Sequence, residues 1–97
     1  MTKEQIMATI LSCKTKFAEL GIIEIGLFGS YVRKENKPSS DIDFLVDFEK
    51  EKETFDNFMA TCELLEKLFP NQKIEVVTKK GLSPYIGPKI LKEVEYV

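Results

Sequence analysis

Three acidic residues and one glycine–serine pair carry the chemistry this sequence can offer. Asp41 and Asp43 stand two apart in Asp41-Ile42-Asp43, and on a strand that spacing sends both carboxylates from one face. Side by side, two such groups repel each other unless a cation lies between them. Their hard oxygens suit magnesium, which takes a few carboxylates together with waters and phosphate oxygens. Upstream, separated from Asp41 by ten residues, Gly29-Ser30 closes an apolar run. The missing Cβ of Gly29 lets the backbone approach a ligand closely. Ser30 is a good N-cap for a short helix, and the amides there favour an anion such as a phosphate. Glu75, flanked by Ile74 and Val76, supplies a third acid that projects away from the core side of its own strand. Two cations about 3.5–4 Å apart could then steady the attacking and leaving oxygens of an in-line displacement.

Composition narrows the alternatives. Histidine is absent, which excludes serine–histidine and cysteine–histidine catalysis and histidine zinc sites. Any acid–base or metal chemistry must rest on carboxylates. A net charge of −2 argues against a domain whose main task is gripping nucleic acid. Two cysteines are too few for a disulfide framework, and Cys13 and Cys62 both fall on apolar helix stripes, where cysteine packs as a small hydrophobe. No apolar run is long enough to span a bilayer, and the N-terminus has no signal-peptide pattern, so the expected compartment is the cytoplasm.

The elements that must position these residues follow from periodicity. With 97 residues the chain is expected to form one domain, residues 1–97, around one core. Thr2 and Gln5 predict a capping box opening a helix, with Ile6, Ile10, Cys13, Phe17 and Leu20 as its buried stripe and Gly21 as its end. Ile22 to Phe28 predicts a strand, Ser30 to about Lys34 a short helix, and Glu35 to Ser40 a loop. Asp41 to Phe48 predicts a second strand, with Ile42, Phe44, Val46 and Phe48 on one face and Asp41, Asp43, Leu45 and Asp47 on the other. A helix is expected over Glu53 to Phe69, with Phe55, Phe58, Met59, Cys62, Leu65 and Phe69 facing the core. A third strand follows over Lys73 to Thr78. The last helix, near Pro84 to Val94, should start late or be interrupted because of Pro88. The result is an α+β (mixed α/β) chain, a small mixed sheet with the long helices on one face and the acids on the other. Glu75 joins the aspartates only if its strand lies beside theirs. Asp47, Lys79 and Lys80 are expected to be solvated. Tyr31 could face a ligand or sit half-buried. Leu45 and Val77, on the acid face, would need cover from a nucleotide base, the terminal segment or a partner.

Gly29-Ser30, the ten-residue gap, Asp41-Ile-Asp43 and the later acid in Ile-Glu75-Val-Val-Thr together resemble the minimal nucleotidyltransferases of the DNA polymerase β superfamily, the MntA-like antitoxin type. The resemblance reaches from the first helix to the tail Leu82-Ser-Pro-Tyr-Ile-Gly-Pro-Lys-Ile-Leu-Lys-Glu. It implies a polymerase-β-like fold and magnesium-dependent transfer of AMP from ATP to a hydroxyl of a cognate HEPN-type toxin, in a type VII-like toxin–antitoxin pair. By position, it implies that Gly29, Ser30 and Arg33 hold the triphosphate and that Asp41, Asp43 and Glu75 bind two magnesium ions. It also implies that Glu75 helps deprotonate the acceptor. The family often has Arg-Gly where this chain has Arg33-Lys34, and frequently Asp where it has Glu75. Two other readings stand beside this one: a catalytically silent module that neutralises a partner by contact, and a nucleotidyltransferase acting on a small molecule.

Overall fold

The first helix opens as the sequence predicts. In the computed structural model, which describes all 97 residues, Thr2 Oγ1 accepts the Gln5 amide at 3.1 Å and Gln5 Oε1 accepts the Thr2 amide at 2.9 Å. These bonds satisfy two of the donors that a helix start leaves free. The expected single helix is nevertheless two: α1 spans Lys3–Ser12 and α2 spans Lys14–Glu19. Cys13, at φ −117° and ψ 16°, is the break. Just before it, the Ser12 hydroxyl donates to Thr9 O at 2.6 Å, a local bond that competes with helix continuation. Ile6, Ile10 and Phe17 are buried, whereas Cys13 and Leu20 are only partly so.

Strands β1 (Ile22–Phe28), β2 (Ile42–Phe48), β3 (Ile74–Thr78) and β4 (Glu95–Tyr96) form one mixed sheet in the order β3-β2-β1-β4. β1 runs antiparallel to β2 and to β4, and β2 runs parallel to β3. A parallel neighbour requires a crossover, and helix α4 (Phe55–Leu68) supplies it. Ile25 and Leu27 of β1 and Ile42, Phe44, Val46 and Phe48 of β2 join Ile6, Ile10, Phe17, Leu65 and Phe69 in the main core. Each such burial contributes about 1.5–3 kcal/mol.

Helix α4 turns much of its expected face to the core, with Phe58 and Cys62 half-buried on it, but the first residues of the stripe lie outside. Phe55 is 77% exposed and Met59 is also exposed, while Thr61, Leu65 and Phe69 are buried. Thr61, which the apolar stripe leaves out, takes an inner place instead of Phe55 and Met59. Thr61 can be buried because its hydroxyl donates to Asn57 O at 2.7 Å, leaving no unpaired polar atom. Phe69 then stacks against Phe44 with ring centroids 5.7 Å apart.

The last helix, α5 (Gly87–Glu93), does start late, with Pro88 in its first turn, where the missing N–H is harmless. It does not join the other helices. The segment leading from α5 into β4 crosses the acid face: a Cβ on Gly26 would lie 2.6 Å from Val94 Cγ2 and 3.0 Å from Tyr96 Cδ1. Leu45, paired with Gly26 across the strands, is 1% exposed, and Val77 is half-buried. The terminal segment thus lies over Gly26, the cross-strand neighbour of Leu45. No helix is long and apolar enough to cross a membrane.

Candidate active site

At the end of β1 the chain turns through Gly29 into α3 (Ser30–Arg33). The N-cap is Gly29 rather than Ser30, which is the first helical residue, and no side chain caps the turn. Gly29 has φ +82°, and a Cβ there would collide with Asp43 Oδ2. Glycine is required on both counts, and the group it admits is the protein's own carboxylate. At the other end of α3, Lys34 adopts the left-handed conformation, φ 60° and ψ 35°, where the resembling family often has glycine. Tyr31 is buried and belongs to the core.

The adjacency that brings Glu75 to the aspartates is present. Phe28 pairs with Asp43 across the antiparallel ladder, and Asp43 pairs with Glu75 across the parallel one, so Asp43 and Glu75 stand side by side on one face. Asp41 lies one residue before β2, in an exposed position rather than on the strand as expected. The loop before it is folded by the Ser40 hydroxyl, which accepts the Lys37 amide at 2.8 Å. The Asp43 carboxyl is pushed from its ordinary 3.8 up to about 7. Burial is the first cause; hydrogen bonding with Glu75 and repulsion from Glu75 and Asp41 add to it, while the Arg33 charge pulls the other way.

No three acids meet as a ready-made cation cage; Asp43 and Glu75 are the close pair, with Asp41 at its edge. This donor set still fits magnesium, which keeps several waters and needs only one or two carboxylates when a substrate phosphate supplies the rest. A carboxyl pushed toward its protonated form by burial and by acidic neighbours is the arrangement that a hard cation relieves.

Two clefts meet at the acid pair. One, of about 250 Å³, is lined by Gly29, Arg33, Asp43, Glu75, Lys89 and Glu93. The other, of about 620 Å³, includes Asp41 and Glu75 together with Phe58, Cys62 and Ile74. Glu75 borders both.

Arg33 is committed to two acids. Its Nη1 donates to Glu93 Oε1 and its Nε to Glu35 Oε1, each at 2.7 Å, and these bonds, Glu93 first, raise its already high pKa. The other oxygen of Glu93 accepts the Gly29 amide at 2.7 Å. Burial alone would raise the Glu93 pKa, but the bonds from Arg33 and from Gly29 outweigh it and hold the carboxyl below its ordinary range. Glu93 was missed from the sequence, and no local signal could have found it, since its partners lie 60 and 64 residues away. Lys80 is exposed and Lys79 partly so, as expected, but both are paired, and Asp47, expected to be solvated, is largely covered. Lys80 reaches Asp47 at 2.9 Å and Phe48 O at 2.7 Å, and Lys79 reaches Glu24 at 3.1 Å. These bonds pin the chain after β3 to β1 and β2.

A four-stranded mixed sheet with paired acids beside a glycine–serine turn defines a nucleotidyltransferase, and the comparisons agree. The family model described as "Nucleotidyltransferase domain" matches residues 6–97, and the chain belongs to that family. Its relatives include the protein adenylyltransferase MntA of Thermococcus cleftensis, 41% identical over all of this chain and 97% of the relative. A Methanocaldococcus jannaschii protein assigned as a protein adenylyltransferase is 37% identical over 75% of this chain and 74% of its own length. Among solved structures, a chain described as a minimal nucleotidyltransferase superposes with a TM-score of 0.83 at 28% identity, covering 98% of this chain and 95% of that one. A chain of a toxin–antitoxin structure with AMP-PNP shares the fold at a TM-score of 0.55 and 17% identity, covering 86% of this chain and 70% of that one.

Proposed function

We propose that residues 1–97 act as one domain that transfers AMP from ATP to a hydroxyl of a partner protein, a tyrosine, serine or threonine of a HEPN-type toxin, as the antitoxin of the pair, in the cytoplasm. The observation that carries this reading is the Asp43–Glu75 pair, in register on adjacent parallel strands with Asp41 beside it. The name of the MntA relative supports adenylyl transfer and a protein acceptor.

Asp41, Asp43 and Glu75 would hold two magnesium ions together with phosphate oxygens, and the positive charge so supplied would offset the negative charge of the reacting phosphate. The cleft containing Gly29, Arg33 and Lys89 receives the triphosphate. Glu75, bordering both clefts, accepts the proton of the acceptor hydroxyl. The hydroxyl oxygen bonds to the α-phosphorus, the bond to the bridging oxygen breaks, and pyrophosphate leaves.

The test is incubation with ATP labelled in its α-phosphate, magnesium and the product of the neighbouring gene as candidate partner. The partner should become labelled, and Asp43→Asn should lower the rate about a hundred- to a thousandfold, as loss of a group central to charge stabilisation does. Undiminished transfer by Asp43→Asn would refute the site. A second reading, neutralisation by contact alone, predicts that Asp41→Asn/Asp43→Asn protects cells from the partner as well as the unaltered chain does.

A further inference from the structure

We infer that Glu93 is a positioning residue for the triphosphate, acting through Gly29 and Arg33 without touching the nucleotide; this rests on the nucleotidyl-transfer reading above. One carboxylate brackets the whole turn. Oε2 takes the Gly29 amide and Oε1 takes Arg33 Nη1, both at 2.7 Å, so the residues at either end of α3 are tied to a single point on α5. The Glu93 side chain is 14% exposed, against 64% for Glu35. Charge-assisted bonds are strongest where water is kept away, so Glu93 is the effective partner and Glu35 a weak one.

Two things follow. Gly29 is buried, and without Glu93 its N–H would have no acceptor, loosening a turn already held at positive φ. Arg33 presents five N–H donors in one plane. Fixing two of them sets the orientation of that plane and leaves three for a ligand, with the ordering cost met before the ligand arrives. Lys89 lines the same cleft as Glu93 and partly offsets its charge.

The opposite role, a carboxylate plug that phosphate must displace, uses the same contacts but reverses the sign of the outcome. Binding of ATP and of AMP, each with magnesium, is measured by calorimetry on the full chain and on Glu93→Gln. Glutamine keeps the shape and an acceptor for Gly29 but not the charge on Arg33. Glu93→Gln should weaken ATP roughly tenfold, the worth of one charge-assisted bond, and leave AMP unchanged, because AMP lacks the phosphates that this turn would hold. Arg33→Gln should show a selective loss at least as large, and the double variant should lose no more than Arg33→Gln alone. Tighter ATP binding by Glu93→Gln overturns the inference in favour of the plug, and an equal loss for ATP and AMP, or none, reduces Glu93 to a structural tie.

Should Glu93→Gln not fold, the unaltered protein still decides by nitrogen-15 NMR. The Arg33 guanidinium and Gly29 amide signals should keep their bonded signature when magnesium and ATP are added, and their release would mean displacement. If the unaltered chain binds no ATP at all, the functional reading falls and takes this inference with it. Selective failure in the variants alone leaves that reading standing.

Discussion

Replacing Asp43 by asparagine should cripple transfer and yet make the metal-free protein more stable. Folded Asp43 keeps its proton up to about 7, whereas its ordinary value is 3.8. Between those values the folded state binds more protons than the unfolded one, so this residue's contribution to stability falls as pH rises, and the full cost is present above about 7. The interval from 3.8 to about 7 corresponds to about 4 kcal/mol if unscreened. Asp43 is only partly buried, and solvent screening brings the expected cost down to about 1–2 kcal/mol. Asparagine carries no charge, and its amide can donate to Glu75 as the protonated acid does. Thermal unfolding in the presence of a chelator should therefore show Asp43→Asn melting about 5–10 °C higher at pH 8, with the difference closing below pH 4. Added magnesium should raise the melting temperature of the unaltered protein and leave the variant unmoved. Equal melting of the two proteins at pH 8, or a variant less stable there than at pH 4 relative to the unaltered chain, would show that the acids do not repel one another as described.

Two further outcomes test the fold around the site. Lys34→Gly should stabilise the protein by about 0.5–1 kcal/mol in a denaturant titration, because Lys34 sits at φ 60°, where a side chain is strained and glycine is not. Phe69→Ala, which empties a position 1% exposed, should cost about 3–5 kcal/mol; Phe55→Ser, on a side chain that covers no core, should stay within about 0.5 kcal/mol.

Much of this arrangement was legible because strands declare their faces. The alternation through Ile42, Phe44, Val46 and Phe48 fixed which way Asp43 pointed before its neighbours were known, and the same held for Glu75 between Ile74 and Val76. Pairing is another matter. That Asp43 lies opposite Glu75 depends on how the crossover through α4 seats β3, which no local pattern encodes. Helix α4 misled only in part: Leu65 and Phe69 face the core as their spacing implies, whereas Phe55 and Met59 extend the apolar stripe beyond what the sheet covers and Thr61 goes inside. Strand β4 is two residues long, too short for periodicity to register. Glu93 reads as one more charge near a helix end until the fold brings it to Arg33.

The in-register pairing of Asp43 with Glu75 has a consequence for how such a centre can be adjusted. Neighbouring strands lie about 4.7–4.9 Å apart whatever their side chains, so backbone hydrogen bonding, rather than any particular amino acid, sets the gauge between the two acids. Side-chain length is then the free variable at either position. Glu75, one methylene longer than aspartate, extends the reach of its carboxyl from a fixed rail, and exchanging it for aspartate would shorten that reach without shifting the rail itself.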